Sequence, residues 1–217
     1  MVRQARSELT RRKIIASAVD LFSEIGYPAA GLGDVIDRAE MTKGALYYHF
    51  DSKAALATAI IVEGGTDVLD TFRTISESSS PALENIIHGA FVVADFLAAD
   101  KRARVSVQLL RAFGGFNEAA GSIYAAWIDE LAVTAARARA EGDIRPDLDP
   151  ACVAEVILGV LLGAELLSHA RSADLREGMT RAWETLLPAI ASDDSLDYFR
   201  EFLSREALRR SPALRSE

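Results

Sequence analysis

Apolar residues recur at spacings of three and four along nearly the whole chain, and no alternation of period two persists. This spacing is typical of amphipathic helices, so the sequence predicts an all-α fold. The first helix is predicted over residues 8–25, with Ser7 as its N-cap and Gly26 as its stop. Its apolar face consists of Ile14, Ala18, Leu21, Phe22 and Ile25.

Two short helices and one long helix are predicted next. The second helix covers residues 32–39, and the third covers residues 42–50 with Thr42 as its N-cap. Asp51 or Ser52 then caps a fourth helix that reaches about residue 74. Six further helices are predicted at about residues 81–99, 101–113, 118–141, 150–171, 175–191 and 193–209.

The eighth predicted helix is apolar on all sides. Between residues 153 and 167 only Glu155 and Glu165 are charged. Such a helix must be buried on more than one side. Gly159 and Gly163 lie four apart on one face and permit the close approach of another backbone. The sequence therefore predicts tight packing of this helix, either inside the core or across a dimer interface.

The composition narrows the choice of compartment. A single cysteine, Cys152, excludes an internal disulfide and fits a reducing environment. Residues 1–13 carry five cations and no apolar segment, which is unlike a secretory signal. The longest uninterrupted apolar run, residues 156–164, is too short to span a bilayer. We expect a cytoplasmic protein without a membrane partner.

The formal net charge of −8 argues against a nucleic-acid partner until its distribution is considered. Residues 1–53 hold eight Lys/Arg against seven Asp/Glu, whereas the rest of the chain holds 16 against 25. An acidic body repels DNA from the wrong surfaces, while the more basic end can still dock. Terminal charge that merely aids solubility gives the same distribution, so charge alone leaves both interpretations open.

The second and third helices are short and closely joined, an arrangement typical of a helix-turn-helix. Lys43, at the start of the third helix, can reach a phosphate or a guanine edge. The adjacent Tyr47 and Tyr48 point about 100° apart on a helix, so at least one of them must leave the core. Their hydroxyls and the ring of His49 can donate hydrogen bonds to phosphates, and Lys53 adds a further phosphate contact.

These residues also carry a family resemblance. The segment 34–39, followed by 42–50 and by Ser52-Lys53, resembles the DNA-binding signature of the TetR family, and residues of the first helix match it as well. The resemblance covers about residues 10–60. It implies a DNA-binding domain at residues 1–53 and a larger helical domain for ligand binding and dimerisation at residues 54–217, usually in a homodimer.

Matching the signature position by position implies which side chains touch DNA and which are buried. Leu46 and Phe50 fall at core positions. Two departures from the family pattern weaken the unit: Ala30-Gly31 replaces the usual Thr or Ser cap of the second helix, and Glu40 replaces the usual turn glycine. A positive φ at Glu40 would cost about 1 kcal/mol. The residues implied to contact DNA are Thr42, Lys43, Gly44, Tyr47, Tyr48, His49 and Lys53.

The chain is also similar to the γ-butyrolactone autoregulator receptor branch of that family, at residues 4–10 and, beyond residue 60, around Trp127 and Trp183. The tryptophan that matches Trp127 is tied to lactone binding in that branch, which implies a small amphipathic effector. A mostly apolar pocket with few polar anchors suits such a ligand, although the same residues can simply fill the core. The candidate ligand residues are Trp127, Gln108, Phe91, Leu109, Phe113 and Leu161.

No motif in the sequence calls for catalysis, a metal or a cofactor. The Glu-x-x-x-His pairs at residues 84–88 and 165–169 lack further ligands, and the acidic run at residues 193–197 suits the start of a helix. The leading hypothesis is therefore a ligand-responsive regulator, a repressor by family habit, that binds a palindromic operator as a homodimer. Two alternatives stay open: a helical carrier or enzyme that does not bind DNA, and a DNA-binding regulator with no small-molecule ligand.

Overall fold

The described residues form an all-α fold, which confirms the predicted fold class. The computed structural model describes residues 2–115 and 117–209, with side chains from residue 4 onward, so residues 210–217 of the second predicted domain lie outside the described residues. The helices of the described chain are α1 (Val2–Ala29), α2 (Leu32–Arg38), α3 (Lys43–His49), α4 (Lys53–Ser76), α5 (Ala82–Ala99), α6 (Lys101–Phe113), α7 (Glu118–Glu141), α8 (Pro150–Arg171), α9 (Leu175–Ile190) and α10 (Leu196–Leu208).

The two ends of α1 differ from the prediction in instructive ways. The helix begins at Val2, so Ser7 lies inside it and is not its N-cap. Gly26 has a φ of 78°, which breaks the helix as predicted, although a further turn continues to Ala29. Ile25, beside this break, is half exposed instead of lying on the buried face.

Local capping chemistry sets several of the other boundaries. Ser52 Oγ accepts a hydrogen bond from the Ala55 amide at 3.0 Å, so Ser52 caps α4. Asp149 caps α8, and Pro150 occupies its first turn. The last helix begins at Leu196 and not at residue 193, because the chain before it forms a turn that is bonded to residues 142 and 143.

The chain divides into two compact units. The first comprises residues 1–67 and 100–123, which hold α1, α2, α3, most of α4 and α6. Here α1 packs against α2, α3 and α6, and its buried residues include Ile14, Leu21 and Phe22. Ion pairs join these helices, among them Arg11 of α1 with Glu63 of α4, and Arg102 of α6 with Asp67 of α4.

The second unit comprises, of the described residues, 68–99 and 124–209. Its helix α9 packs against α5, α8 and α10, and Trp183, Phe91 and Phe199 are fully buried in the shared core. A buried amide organises the α4–α5 loop: Asn85 Nδ2 donates to the carbonyl oxygens of Ser78 and Ser80 at 3.3 and 3.2 Å. This side chain satisfies loop carbonyls that have no helical partner.

Helix α8 is not buried on all sides within the chain. Its buried residues are Val153, Ala154, Ile157, Glu165 and Ser168, while Leu167 is 61% exposed. A Cβ added at Gly159 or Gly163 would meet nothing within 4 Å. The prediction that the glycine face packs tightly inside the core is therefore wrong. Its packing across a dimer interface remains a prediction.

Among the described residues, α5 and α8 reach the length and, over an 18-residue window, the mean hydropathy of a membrane span. Charged residues interrupt both helices, so neither shows as one long apolar run in the sequence. Helix α5 has 56% of that window buried inside the protein, as expected for a core helix, whereas the corresponding fraction for α8 is 33%.

Candidate nucleic-acid interface

A tight turn joins α2 to α3. The amide of Met41 donates to the Ile36 carbonyl and that of Glu40 to the Asp37 carbonyl, both at 3.1 Å, which forms a Schellman motif. Glu40 has a φ of 50°, the left-handed conformation expected where the family pattern has glycine. Its carboxylate is exposed and lies 4.0 Å from Lys13 Nζ, so the strained residue sits beside a cation.

The start of α2 shows how the missing Thr or Ser cap is compensated. Gly31 provides no side-chain cap, as predicted from the sequence. Its amide instead donates to Asp34 Oδ2 at 2.8 Å, which satisfies one of the free donors at the helix start.

Local chemistry and burial together fix the orientation of α3. Thr42 Oγ1 accepts a hydrogen bond from the Ala45 amide at 3.2 Å, which confirms Thr42 as the N-cap. Leu46 and Phe50 are buried, as predicted, against α1 and α2, where Val35 is also buried. One side of α3 is thereby anchored, and its opposite side faces solvent.

The solvent side of α3 holds the residues predicted to contact DNA. Tyr48 is 75% exposed and Tyr47 is 45% exposed, so both tyrosines leave the core. Lys43 Nζ lies 5.7 Å from the centroid of the Tyr47 ring, and the Tyr48 and His49 rings meet edge to face at 5.0 Å. A Cβ at Gly44 would meet nothing within 4 Å, so this position leaves room for a partner. We name this surface, Thr42, Lys43, Gly44, Tyr47, Tyr48 and His49, the α3 face.

The first turns of α1 lie beside the α3 face, a feature that the sequence prediction missed. A groove there is lined by Gln4, Arg6, Ser7 and Thr10 from α1, and by Ala45, Tyr48 and His49. The prediction began the helix at residue 8, because the preceding residues are polar and show no apolar periodicity. Their net positive charge was the signal available in the sequence.

Lys53 is placed differently from the rest of the predicted DNA-binding set. Its ammonium donates hydrogen bonds to the carbonyl oxygens of Tyr27 and Ala30, both at 2.7 Å, and to that of Pro28 at 3.3 Å. It also lies 4.3 Å from the centroid of the Tyr27 ring. The ammonium is thus engaged inside the protein, and the structure does not present it on the α3 face.

The six predicted ligand residues are distributed over both units. Trp127, Phe91 and Leu161 belong to the second unit, where Trp127 and Phe91 are buried and Leu161 packs against the core that contains Phe91. Gln108, Leu109 and Phe113 belong to the first unit. There Phe113 is buried and meets the Tyr27 ring edge to face at 5.1 Å.

Both residues of the first Glu-x-x-x-His pair, Glu84 and His88, have protein partners. His88 Nδ1 lies 2.8 Å from Glu206 Oε2, and Glu84 accepts a hydrogen bond from the Tyr198 hydroxyl. In the second pair Glu165 is buried, whereas His169 is exposed. No group of three or more His, Cys, Asp or Glu side chains suited to a metal ion occurs in the described part of the chain.

A helix-turn-helix with an exposed polar and aromatic α3 face, followed by a larger helical unit, defines a class of DNA-binding regulator. The family model described as bacterial regulatory proteins, tetR family, matches residues 14–60. The A-factor receptor protein of Streptomyces griseus is 33% identical over 193 residues, 88% of this chain and 67% of the receptor. The chain belongs to the TetR family of transcriptional regulators and is related to the γ-butyrolactone receptors.

Two solved structures share the fold. A γ-butyrolactone receptor described as ArpA-like superposes with a TM-score of 0.76 at 23% identity, over 93% of this chain and 98% of the receptor. CprB from Streptomyces coelicolor, in a structure with its biological operator sequence, gives a TM-score of 0.74 at 23% identity, over 92% of this chain and 97% of CprB.

Proposed function

We propose that this protein is a ligand-responsive repressor that binds an inverted-repeat DNA operator as a homodimer and leaves it when a small amphipathic effector binds. The observation that carries the proposal is the α3 face. Buried Leu46 and Phe50 hold this helix in place, and Lys43, Tyr47 and Tyr48 on its other side are exposed to solvent. Solvated side chains that offer cationic and hydroxyl donors suit the phosphates and base edges of duplex DNA.

Each residue of the α3 face has a chemical role in this proposal. Lys43 supplies a cation for a phosphate or a guanine edge, and Gly44 lets the helix approach the floor of the major groove. The hydroxyls of Tyr47 and Tyr48 and the ring of His49 donate to phosphates on either side. Thr42 both caps the helix and exposes its hydroxyl at the same end.

The experiment that tests DNA binding is selection from a randomised duplex library with the purified protein. We expect an inverted repeat whose half-sites are about 34 Å apart, or a multiple of that distance, because two-fold dimers present two recognition helices at this spacing. The Tyr47→Ala variant serves as the matched control and should enrich the same repeat poorly. Enrichment of no sequence by the wild-type protein would favour the alternative of a helical carrier or enzyme.

A second copy of the chain is the proposed occupant of the exposed face of α8. The apolar side chains Val156, Leu166 and Leu167 are exposed there, and Gly159 and Gly163 leave the backbone uncovered. Helix α8 packs along α9, so the two helices present one continuous surface. Apolar area of this kind on a family member that recognises a palindrome supports a two-fold dimer seam.

The proposed effector resembles a γ-butyrolactone. The names of the A-factor receptor and of the structurally similar γ-butyrolactone receptor support this class of ligand. Within the second unit we propose Trp127 as the principal ligand contact, with Phe91 and Leu161 as apolar neighbours. Gln108, Leu109 and Phe113 remain predictions from the sequence.

An alkyl-substituted γ-butyrolactone tests this part of the proposal. Added to the protein on its selected duplex, it should release the DNA and change tryptophan fluorescence. An absence of both effects across a range of alkyl substituent lengths would favour the alternative of a regulator without a small-molecule ligand.

The family, whose members are soluble DNA-binding regulators, supports a cytoplasmic location, and fractionation of expressing cells tests it.

A further inference from the structure

Only residues 30 and 31 separate α1 from α2, and α1 is interrupted shortly before its end. Gly26 interrupts the helix, and Gly31 begins the next one. The carbonyl groups at such a helix end lack partners and make the end electronegative. This segment carries α2, and through α2 it sets the position of α3.

One side chain satisfies three carbonyls of this segment. An ammonium has three N–H donors, and Lys53 Nζ lies within hydrogen-bond distance of the Tyr27, Pro28 and Ala30 oxygens. The face of the Tyr27 ring adds a cation–π contact. The donors of Lys53 are therefore all used inside the protein, and a bond to phosphate would require one of these contacts to break.

We propose that Lys53 is a positioning residue and not a phosphate contact: its ammonium locks the 27–30 segment onto the start of α4 and so holds the helix-turn-helix in its DNA-binding orientation. The inference rests on the proposed function and deepens it. It also places Lys53 beside Tyr27, whose ring meets Phe113 at the end of α6. The lock therefore joins the ends of α1 and α6 to the beginning of α4 within the first unit.

The salt dependence of DNA binding separates the two roles. Each phosphate contact that is lost lowers the slope of log K against log salt concentration by about 0.9. In Lys53→Met we expect the affinity for the selected duplex to fall about tenfold while this slope stays at the wild-type value. Lys43→Met is the matched control, because its exposed ammonium should change the slope.

The Lys53→Arg variant also distinguishes a positioning role from a phosphate contact. A guanidinium binds phosphate at least as well as an ammonium does, but its flat fork does not fit a cradle of three carbonyls. Lys53→Arg should therefore bind the duplex more weakly than wild type. If Lys53→Arg binds like wild type, or if Lys53→Met lowers the slope by about 0.9 per contact, the proposal is overturned.

Hydrogen exchange in the DNA-free protein gives a readout that a phosphate contact would not move. Faster exchange at the amides of Ala30, Gly31 and Val35 in both Lys53 variants supports the lock, and wild-type exchange rates overturn it. If Lys53→Met precipitates, the duplex affinity and the hydrogen exchange are measured on Lys53→Arg alone. A wild-type protein that binds no duplex would refute the proposed function, whereas the exchange rates would still decide whether Lys53 holds the segment.

Discussion

Gly64 of α4 faces Ser106 of α6 so closely that a Cβ on Gly64 would overlap the serine side chain. Ser106 Oγ also donates a hydrogen bond to the Ile61 carbonyl at 3.1 Å, one turn away on α4. The crossing of these two helices in the first unit therefore depends on a residue without a side chain.

Gly64→Ala should lower the free energy of unfolding by about 1–3 kcal/mol, the usual cost of overpacking a close contact. Gly121→Ala on α7 is the matched control, because a Cβ there meets nothing within 4 Å. It should be neutral or stabilising by up to about 1 kcal/mol. Urea unfolding of both variants measures the difference, and equal stabilities would contradict the packing argument.

Lys43→Ala or Tyr47→Ala should weaken binding to the selected duplex by about 1–3 kcal/mol with little change in melting temperature, because both side chains are exposed. Leu46→Ala on the same helix is the contrasting variant. It should lose about 2–5 kcal/mol of stability, since its side chain is fully buried. If both exposed variants bind like wild type, α3 is not the recognition helix.

The wild-type protein should sediment as a dimer at micromolar concentration, and Leu167→Asp should shift it towards monomer. The reason is that Leu167 is an exposed apolar side chain of α8, where a charge would be buried by a second copy. Val133→Asp on α7, at a position that is 70% exposed, provides the control and should remain dimeric. A monomeric wild-type protein, or equal behaviour of the two variants, would reject the proposed seam.

Trp127→Ala should keep duplex binding and lose release by the alkyl-substituted γ-butyrolactone, if the indole contacts the effector. Trp183→Ala is the matched core variant, since Trp183 is fully buried. It should cost about 3–5 kcal/mol of stability and reduce DNA binding in parallel. The melting temperature and duplex affinity of both proteins distinguish a ligand contact from a core residue. A Trp127→Ala protein as unstable as Trp183→Ala would indicate that Trp127 is a core residue.

Acid should destabilise the second unit through Glu206. Burial by itself raises the pKa of this carboxyl, but the hydrogen bond with His88 and the charges of His88, Arg209 and Arg176 outweigh it and hold the pKa below 4.5. The ionised form therefore stabilises the fold above that value, and the contribution is lost as the pH falls through the lowered pKa.

Glu206→Gln should thus be less stable than wild type at neutral pH and should lose less stability between about pH 5 and pH 3. Urea unfolding at several pH values measures both slopes. Glu201→Gln on the exposed side of α10 is the control and should follow the wild-type curve. Parallel curves for Glu206→Gln and wild type would contradict the assignment.

The sequence by itself determined most of the helices, because helix formation depends on neighbours within about four residues. Thr42, Ser52 and Asp149 act as caps through amides three residues away. Gly26 interrupts α1, and Gly142 follows the last residue of α7, both at positive φ. The residues of the family signature also lie close together in the sequence. The start of α1 was missed because its first residues are polar and carry no apolar period.

Only the tertiary structure decided what covers each surface. The apolar composition of α8 does not say which of its sides a single chain leaves open, so the sequence allowed its glycine face to pack either inside the core or across a dimer interface. Lys53 shows the same limit: its signature position implies a phosphate contact, yet its carbonyl partners lie 23 to 26 residues away in the chain. Hydrogen bonds over such separations follow from how the helices pack, and local spacing does not encode them.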